Sequence, residues 1–324
     1  MSIFDVLTLL GGLSLFLFGM NIMGEGLERH AGGRLYSLLA KLTSGKARAI
    51  LTGIGVTAAI QSSSAATVMV VGFVNSGLMS LKQAIPVIMG ANVGTTVTSW
   101  VLGLSGIESS NLFVQLLKPA AFTPILALIG IVFYMFLKHN KKKDLGAILL
   151  GFSVLMFGME SMSGAVAGLK NEVWFADLFL LFTNPVLGVL AGAVLTAIVQ
   201  SSSASVGILQ ALSGTGSVSY AAAFPIIMGQ NIGTCLTAIL SSIGTGTNAR
   251  RAAMVHLLFN LIGTGVCLTL FLLAREFLAP AIFDQSATHL GIAVCHTIFN
   301  ITCAALLLPC DKLLEKLVCK LVPS

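Results

Sequence analysis

Two stretches of this chain recur at one fixed offset, and the duplication narrows the fold more than any other feature. GIGVTAAIQSSSA at Gly53–Ala65 returns as GAVLTAIVQSSSA at Gly192–Ala204. PVIMGANVGTTVT at Pro86–Thr98 returns as PIIMGQNIGTCLT at Pro225–Thr237, and LFGM at Leu17–Met20 as MFGM at Met156–Met159. Gln61 and Gln200, Pro86 and Pro225, Asn92 and Asn231 are each 139 positions apart, with no gap in register. The chain is two copies of one structural unit, and the unit's topology decides how the copies face each other.

The solvent of that unit follows from its composition. Hydrophobic residues make up 56% of the 324 and charged residues 9%, with a mean hydropathy of +0.96. A soluble domain needs far more polar surface. Ile3–Met23, Ala120–Leu137, Leu145–Val166, Ala252–Ala274 and Gly291–Leu308 meet or approach the ~20 apolar residues that span a bilayer as a helix. The N-terminal stretch has no basic leader and no small-residue cleavage site, so it reads as a retained first span. A net charge of +6 would suit nucleic acid, but the basic residues sit at span ends without interleaved aromatics. The six cysteines show no CxxC spacing and read as small buried thiols, with no metal or disulfide framework.

Each copy adds two unusual segments to its ordinary spans. The first, about 46–77 and again about 186–213, is apolar on both sides of a QSSS tetrad. A polar tetrad in mid-membrane is costly unless it faces protein or a wet cavity, so these segments are predicted to be re-entrant helical hairpins tipped by the tetrads. The second, about 84–104 and about 221–243, contains GxNxGT, which predicts a transmembrane helix unwound at its middle. With three crossings per copy, the second copy is inverted. With the N-terminus outside, all of the 18 lysines and arginines except Lys118, Lys170 and Arg275 fall inside, Arg34, Lys41 and Lys138 included. The expectation is an all-α membrane protein with seven crossings. Residues 1–137 form repeat 1, 138–144 a basic cytoplasmic linker and 145–274 inverted repeat 2. Residues 275–324 supply one more transmembrane helix and a cytoplasmic C-terminus. The membrane is a plasma membrane or a bacterial inner membrane.

Broken helices paired across an inverted repeat indicate a transport site near the midplane. A new helix starting at each tip offers unpaired N–H groups with about half a positive charge. Ser62–Ser64 and Ser201–Ser203 stand at cap positions and can donate hydroxyls to anionic oxygens, and Gln61 and Gln200 add amide donors. Carbonyls freed at Asn92–Thr95 and Asn231–Thr234, with the hydroxyls of Thr95, Thr98, Thr234 and Thr237, would suit a small hard cation. These four segments contain no Asp or Glu, so cation and anion would each offset the other's desolvation. Serine and glycine at helix interfaces also serve plain close packing. One QSSS alone leaves that reading level with a binding site; two copies in register, each followed by GxNxGT, favour the site.

The paired QSSS tetrads with their MGxNxGT partners resemble the type II sodium–phosphate cotransporters and their bacterial relatives, over nearly the whole chain. The resemblance implies sodium-coupled uptake of inorganic phosphate, with Na+ as the coupling ion and no other cofactor. It implies phosphate contacts from Gln61, Ser62, Ser63, Ser64, Gln200, Ser201, Ser202 and Ser203, joined by Asn92 and Asn231. It implies sodium contacts from Ser62, Gln200, Ser201, Ser202, Thr234 and Thr237, and by symmetry from Thr95 and Thr98. Partners are phosphate, sodium and the lipid bilayer, with room for a homodimer or a cytoplasmic regulatory domain such as many bacterial relatives carry. The family's H-x-x-F-N segment appears at His256–Asn260 and His296–Asn300, whereas repeat 1 has Phe122–Leu126 instead. Electrogenic members carry an Asp past the first broken helix; the only acid in Gly103–Ser109 is Glu108.

Other readings are separable. Another oxyanion, or H+ in place of Na+, would fit a site without an Arg or Lys clamp. An intramembrane serine hydrolase would need one tetrad serine, His256 or His296 as base, and an acid to orient it; two equal tetrads and no acid speak against it. A phosphate-sensing scaffold would leave two cation shells without a use. His256 and His296 read as structural hydrogen-bonding groups, Glu160 as a solvated residue in the place of Asn21, and Asn21 with Glu25 as a vestibule rather than the site itself.

Overall fold

The computed structural model describes residues 2–31, 45–106, 118–137, 139–277 and 280–323. Arg34, Lys41, Glu108 and Lys138 lie outside the described residues. In chain order the helices are α1 (Ile3–Ala31), α2 (Lys46–Ile60), α3 (Ser63–Asn75), α4 (Leu81–Gly103) and α5 (Pro119–Phe136). Next come α6 (Asn140–Val166), α7 (Val173–Leu181), α8 (Pro185–Val199), α9 (Ser202–Ser213), α10 (Tyr220–Ser241) and α11 (Thr247–Phe277). A short α12 (Pro280–Phe283), α13 (His289–Leu307) and α14 (Asp311–Leu321) follow. The described residues form no strand beyond one isolated bridge between Ser219 and Ser286. The helix starts at Lys46, Ser63 and Leu81 recur 139 positions later at Pro185, Ser202 and Tyr220.

Seven helical stretches among the described residues are long and apolar enough to cross a membrane: those built on α1, α4, α5, α6, α10, α11 and α13. Their exposure matches a lipid solvent. On α1, Ile3, Phe4, Leu7, Leu10 and Phe18 are exposed, and on α5 so are Ile125, Leu128, Met135 and Phe136. Both α4 and α10 are instead mostly buried, at the centre of the molecule. Sequence reading did not assign α7, which meets α8 at a bend of 102°.

The expected unwinding of the two central helices is not what the structure shows. Gly90–Thr96 lies within continuous α4, and the matching stretch within continuous α10. The glycines have another use. A methyl group on Gly90 would overlap the Ile50 carbonyl of α2, and one on Gly53 the Val87 carbonyl of α4. In repeat 2, Gly229 meets Val189 O and Gly192 meets Ile226 O in the same way. Absent side chains let α2 lie directly on α4, and α8 on α10, which is the small-residue packing of membrane helices. Each Asn then has no freed backbone to serve: the Asn92 and Asn231 amides donate to Ile88 O (3.0 Å) and Ile227 O (2.8 Å), one turn back.

Helices α1 and α6 also pack through glycines, and they run antiparallel. A methyl on Gly12 would press on Met162 N, Gly158 O and Ser161; one on Gly19 would meet Leu155 N and Gly151 O. Shifting by 139 turns Gly12 into Gly151, Gly19 into Gly158 and Met23 into Met162. Each contact therefore has a reciprocal partner: Gly151 meets Met23 N just as Gly12 meets Met162 N.

Replacing Gly90 with Val should destabilise the protein by more than the ~1–3 kcal/mol of ordinary overpacking, because backbone stands in the way. Gly55, exposed on α2 with open space at its Cβ position, should accept Ala with no loss and a gain of up to ~1 kcal/mol. Detergent-solubilised melting curves read by size-exclusion chromatography check both; equal melting temperatures for the two variants would refute the packing role.

Candidate anion and cation site

Both tetrads fold the same way. Gln61 ends α2 in the left-handed region (φ 55°), and Gln200 ends α8 likewise (φ 56°). These are the described non-glycine residues with positive φ. One residue at such an angle stops a helix and redirects the chain. The next serine is extended and caps the new helix: Ser62 Oγ accepts from Ala65 N–H, and Ser201 Oγ from Ala204 N–H, both at 3.2 Å. The other first-turn amides of α3 and α9 have no partner within their own helices, so they face whatever lies beyond the tip.

The two tips meet. Gln61, Ser62, Ser63 and Ser64 line one cavity of about 340 Å3 together with Gln200, Ser201, Ser202 and Ser203. Ser63, Ser202 and Ser203 are buried, at 4–6% exposure, although they border open space. Helix α1 closes one side with Leu17, Met20, Asn21, Gly24, Glu25 and Glu28. Among the described residues, the charged ones of this wall are Glu25 and Glu28, with no lysine or arginine. Glu25 accepts from Asn21 Nδ2 (2.8 Å) and pairs with Arg29 (3.1 Å), which also reaches Asp144 (3.2 Å).

A second layer fixes the tips. Gln61 donates from Nε2 to Ala58 O (2.5 Å) and accepts at Oε1 from Thr98 (2.9 Å), which ties tip 1 to α4. Tip 2 is tied differently. Thr196 of α8 donates to Ser205 Oγ of α9 (2.8 Å), and Gln230 of α10 donates to Ser205 O (3.0 Å). Gln200 is exposed, and the Thr237 hydroxyl, at the position equivalent to Thr98, is buried with no partner.

The remaining candidates stand off the cavity wall. Thr95 and Thr234 donate within their own helices, to Ala91 O (3.1 Å) and Gln230 O (2.8 Å). Asn92 belongs to a buried cluster: its Oδ1 lies 3.3 Å from both His256 Nε2 and Asn260 Nδ2, and Asn260 also reaches Cys235 Sγ at 3.3 Å. His296 Nδ1 lies 2.6 Å from the Ser99 hydroxyl. Both H-x-x-F-N histidines thus bind across to α4, at Asn92 and Ser99, and not to a tetrad serine. Glu160 is exposed. Sequence reading set Asn21 and Glu25 aside and passed over Glu28; their spacing along one helix face was visible, but nothing local aimed that face at the tips.

A body of span-length apolar helices whose two helix breaks line one polar cavity defines a polytopic membrane protein with an internal polar site. The chain belongs to the Na+/Pi-cotransporter family, whose pattern it matches over residues 15–164 and 168–296. It is therefore a multi-pass membrane protein of a phosphate-transporting family. It is 31% identical over 315 residues to the uncharacterized protein YqeW of Bacillus subtilis strain 168, covering 95% of both chains. It is 28% identical over 305 residues to YjbB of Escherichia coli K12, whose name marks it as a candidate inorganic phosphate export protein. That match covers 94% of this chain and 53% of YjbB, so the chain spans about half of that relative. Against the sodium-dependent phosphate transport protein 2A of Rattus norvegicus, identity is 36% over 99 residues, 30% of this chain and 15% of the rat protein. No solved structure matches.

If the tips hold the ligand, Ser63→Ala or Ser202→Ala should cost about 1–3 kcal/mol of phosphate binding while the protein stays folded. Calorimetric titration with phosphate in sodium buffer measures this; wild-type affinity in both variants would show that the serines only pack.

Proposed function

We propose that the protein couples sodium to the movement of inorganic phosphate by alternating access, with the anion held between the two tetrad tips. The observation that carries this reading is the shared cavity: two helix N-termini and six serines converge where, among the described residues, no lysine or arginine lines the wall. Two N-termini contribute roughly one positive charge between them, less than a phosphate carries. Glu25 and Glu28 add negative potential at the same wall. An anion entering such a site needs a cation beside it, and the hydroxyls and carbonyls available are hard oxygen ligands suited to Na+. Ser62, Gln200, Ser201 and Ser202 border the cavity and would contribute to both ions. Thr98 and Thr237 would act from behind the tips, one through Gln61 and one through its unpartnered hydroxyl. With α4 and α10 intact, Asn92, Asn231, Thr95 and Thr234 would bear on the ions only after a rearrangement of those helices.

In this proposal the halves are inverted repeats related by a two-fold axis between α1 and α6. The reciprocal glycine contacts of that antiparallel pair support it, since a two-fold operation exchanges partners in this way. The hairpins are then re-entrant, and two mirrored conformations open the cavity to one side or the other. Inward transport is the direction implied by the resemblance to sodium–phosphate cotransporters. The name of YjbB favours a second reading, net export, through the same site.

Phosphate flux in proteoliposomes tests the proposal. Uptake of labelled phosphate should require sodium, follow an imposed sodium gradient and be blocked by excess arsenate more than by sulfate or succinate. Flux unaffected by sodium would remove the coupling; flux driven outward under every gradient would select export.

Thr237→Val should weaken sodium activation more than phosphate binding at saturating sodium. A fall in phosphate affinity at every sodium level, with sodium dependence unchanged, would reassign that hydroxyl.

A further inference from the structure

Helix α14 divides its circumference into three stripes. Asp311, Leu314 and Val318 are buried against the helical body. Leu313, Leu317 and Leu321 recur every fourth residue and are 67%, 37% and 53% exposed. Lys312, Lys316 and Lys320 recur with the same spacing, one position earlier, and are also exposed. Positions four apart drift by about 40° around a helix and neighbours differ by about 100°. The lysines, the exposed leucines and the protein-facing residues therefore occupy three successive sectors, with the leucines between the other two.

Two bonds fix this roll. Asp311 pairs with Lys46 Nζ at 2.7 Å, at the foot of α2, and Arg251 Nε donates to Val322 O at 2.9 Å, beside the start of α11. Turning the leucines onto the protein would break both. The helix also starts close to a bilayer surface, because only Leu308, Pro309 and Cys310 separate it from α13, a span-length apolar helix. A helix packed on one side and surrounded by water would have no use for a continuous leucine stripe beside a lysine stripe.

We propose that α14 lies in the interface of a bilayer containing anionic phospholipid, its leucines at the acyl boundary and its lysines among the phosphate headgroups. The three sectors answer to the three surroundings of such a helix: the protein beside it, hydrocarbon below and charged headgroups above. Lipid seated there bears on the foot of the hairpin that carries Gln61–Ser64, through the Lys46–Asp311 pair.

The test uses the full chain in nanodiscs. In a Trp100→Phe/Trp174→Phe background, Leu317→Trp reports the leucine sector and Leu321→Trp gives a second reporter should the first fail to fold. Both should emit in the blue and be quenched by lipids brominated near the head of the acyl chain. The Lys312→Gln/Lys316→Gln/Lys320→Gln variant should retain about tenfold less phosphatidylglycerol on delipidation, followed by native mass spectrometry, with the tryptophan still quenched. Red-shifted, unquenched emission would place the leucines in water and overturn the proposal. Quenching lost together with cross-linking of two copies would assign the stripe to a dimer instead. Undiminished phosphatidylglycerol in the lysine variant would remove the headgroup contact.

Discussion

The fold turns on how a helix can be interrupted in the interior of an apolar helical body. A helix that stops there strands N–H and C=O groups with no water to receive them. At both interruptions this chain spends a left-handed glutamine to end one helix and a serine to cap the next. The cap satisfies one first-turn amide and leaves others pointing outward. Those remaining donors are tolerable only if the tips face each other across a polar space, and the shared cavity provides that space.

Bringing the tips together depends on close helix contact elsewhere. Glycines on α2, α4, α8 and α10 let paired backbones touch, and this sets how α2 and α8 lie along α4 and α10. The two central helices stay continuous: Asn92, Thr95, Asn231 and Thr234 donate to carbonyls of their own helices, and Asn92 also meets His256 and Asn260 of α11. The C-terminal α13 is part of this frame, since His296 and Thr297 bind Ser99 and Trp100 of α4. Near-identical sequences thus acquire different neighbours: Thr98 holds Gln61, while Thr237 has no partner and Gln200 is exposed.

Much of the architecture was legible in the sequence. The 139-residue offset, the seven span-length apolar helices among the described residues and the helix breaks at Gln61 and Gln200 follow from local pattern, because a polar tetrad between apolar runs has few alternatives in a membrane. The same reasoning misjudged GxNxGT. Gly90 and Gly94 weaken a helix in isolation, but at an interface the space they leave is filled by another helix, whose contact restores what the glycine costs. No local rule separates these cases, since the deciding atoms, Ile50 O and Ile54 O, lie about forty residues away in the chain.

The cavity was hidden for a related reason. That each tetrad caps a helix is a property of a few adjacent residues, and sequence by itself determined it, along with the repeat, the helical class and the apolar surroundings. That the two caps face one another, with Asn21, Glu25 and Glu28 as a third wall, rests on contacts between segments far apart in the chain. So does the sorting of polar residues into those that border open space and those, like Asn92 with His256 and Asn260, that satisfy one another in the core. Only the tertiary structure decided these, because burial and hydrogen-bond pairing are set by which helices pack together, and packing is a property of the whole chain.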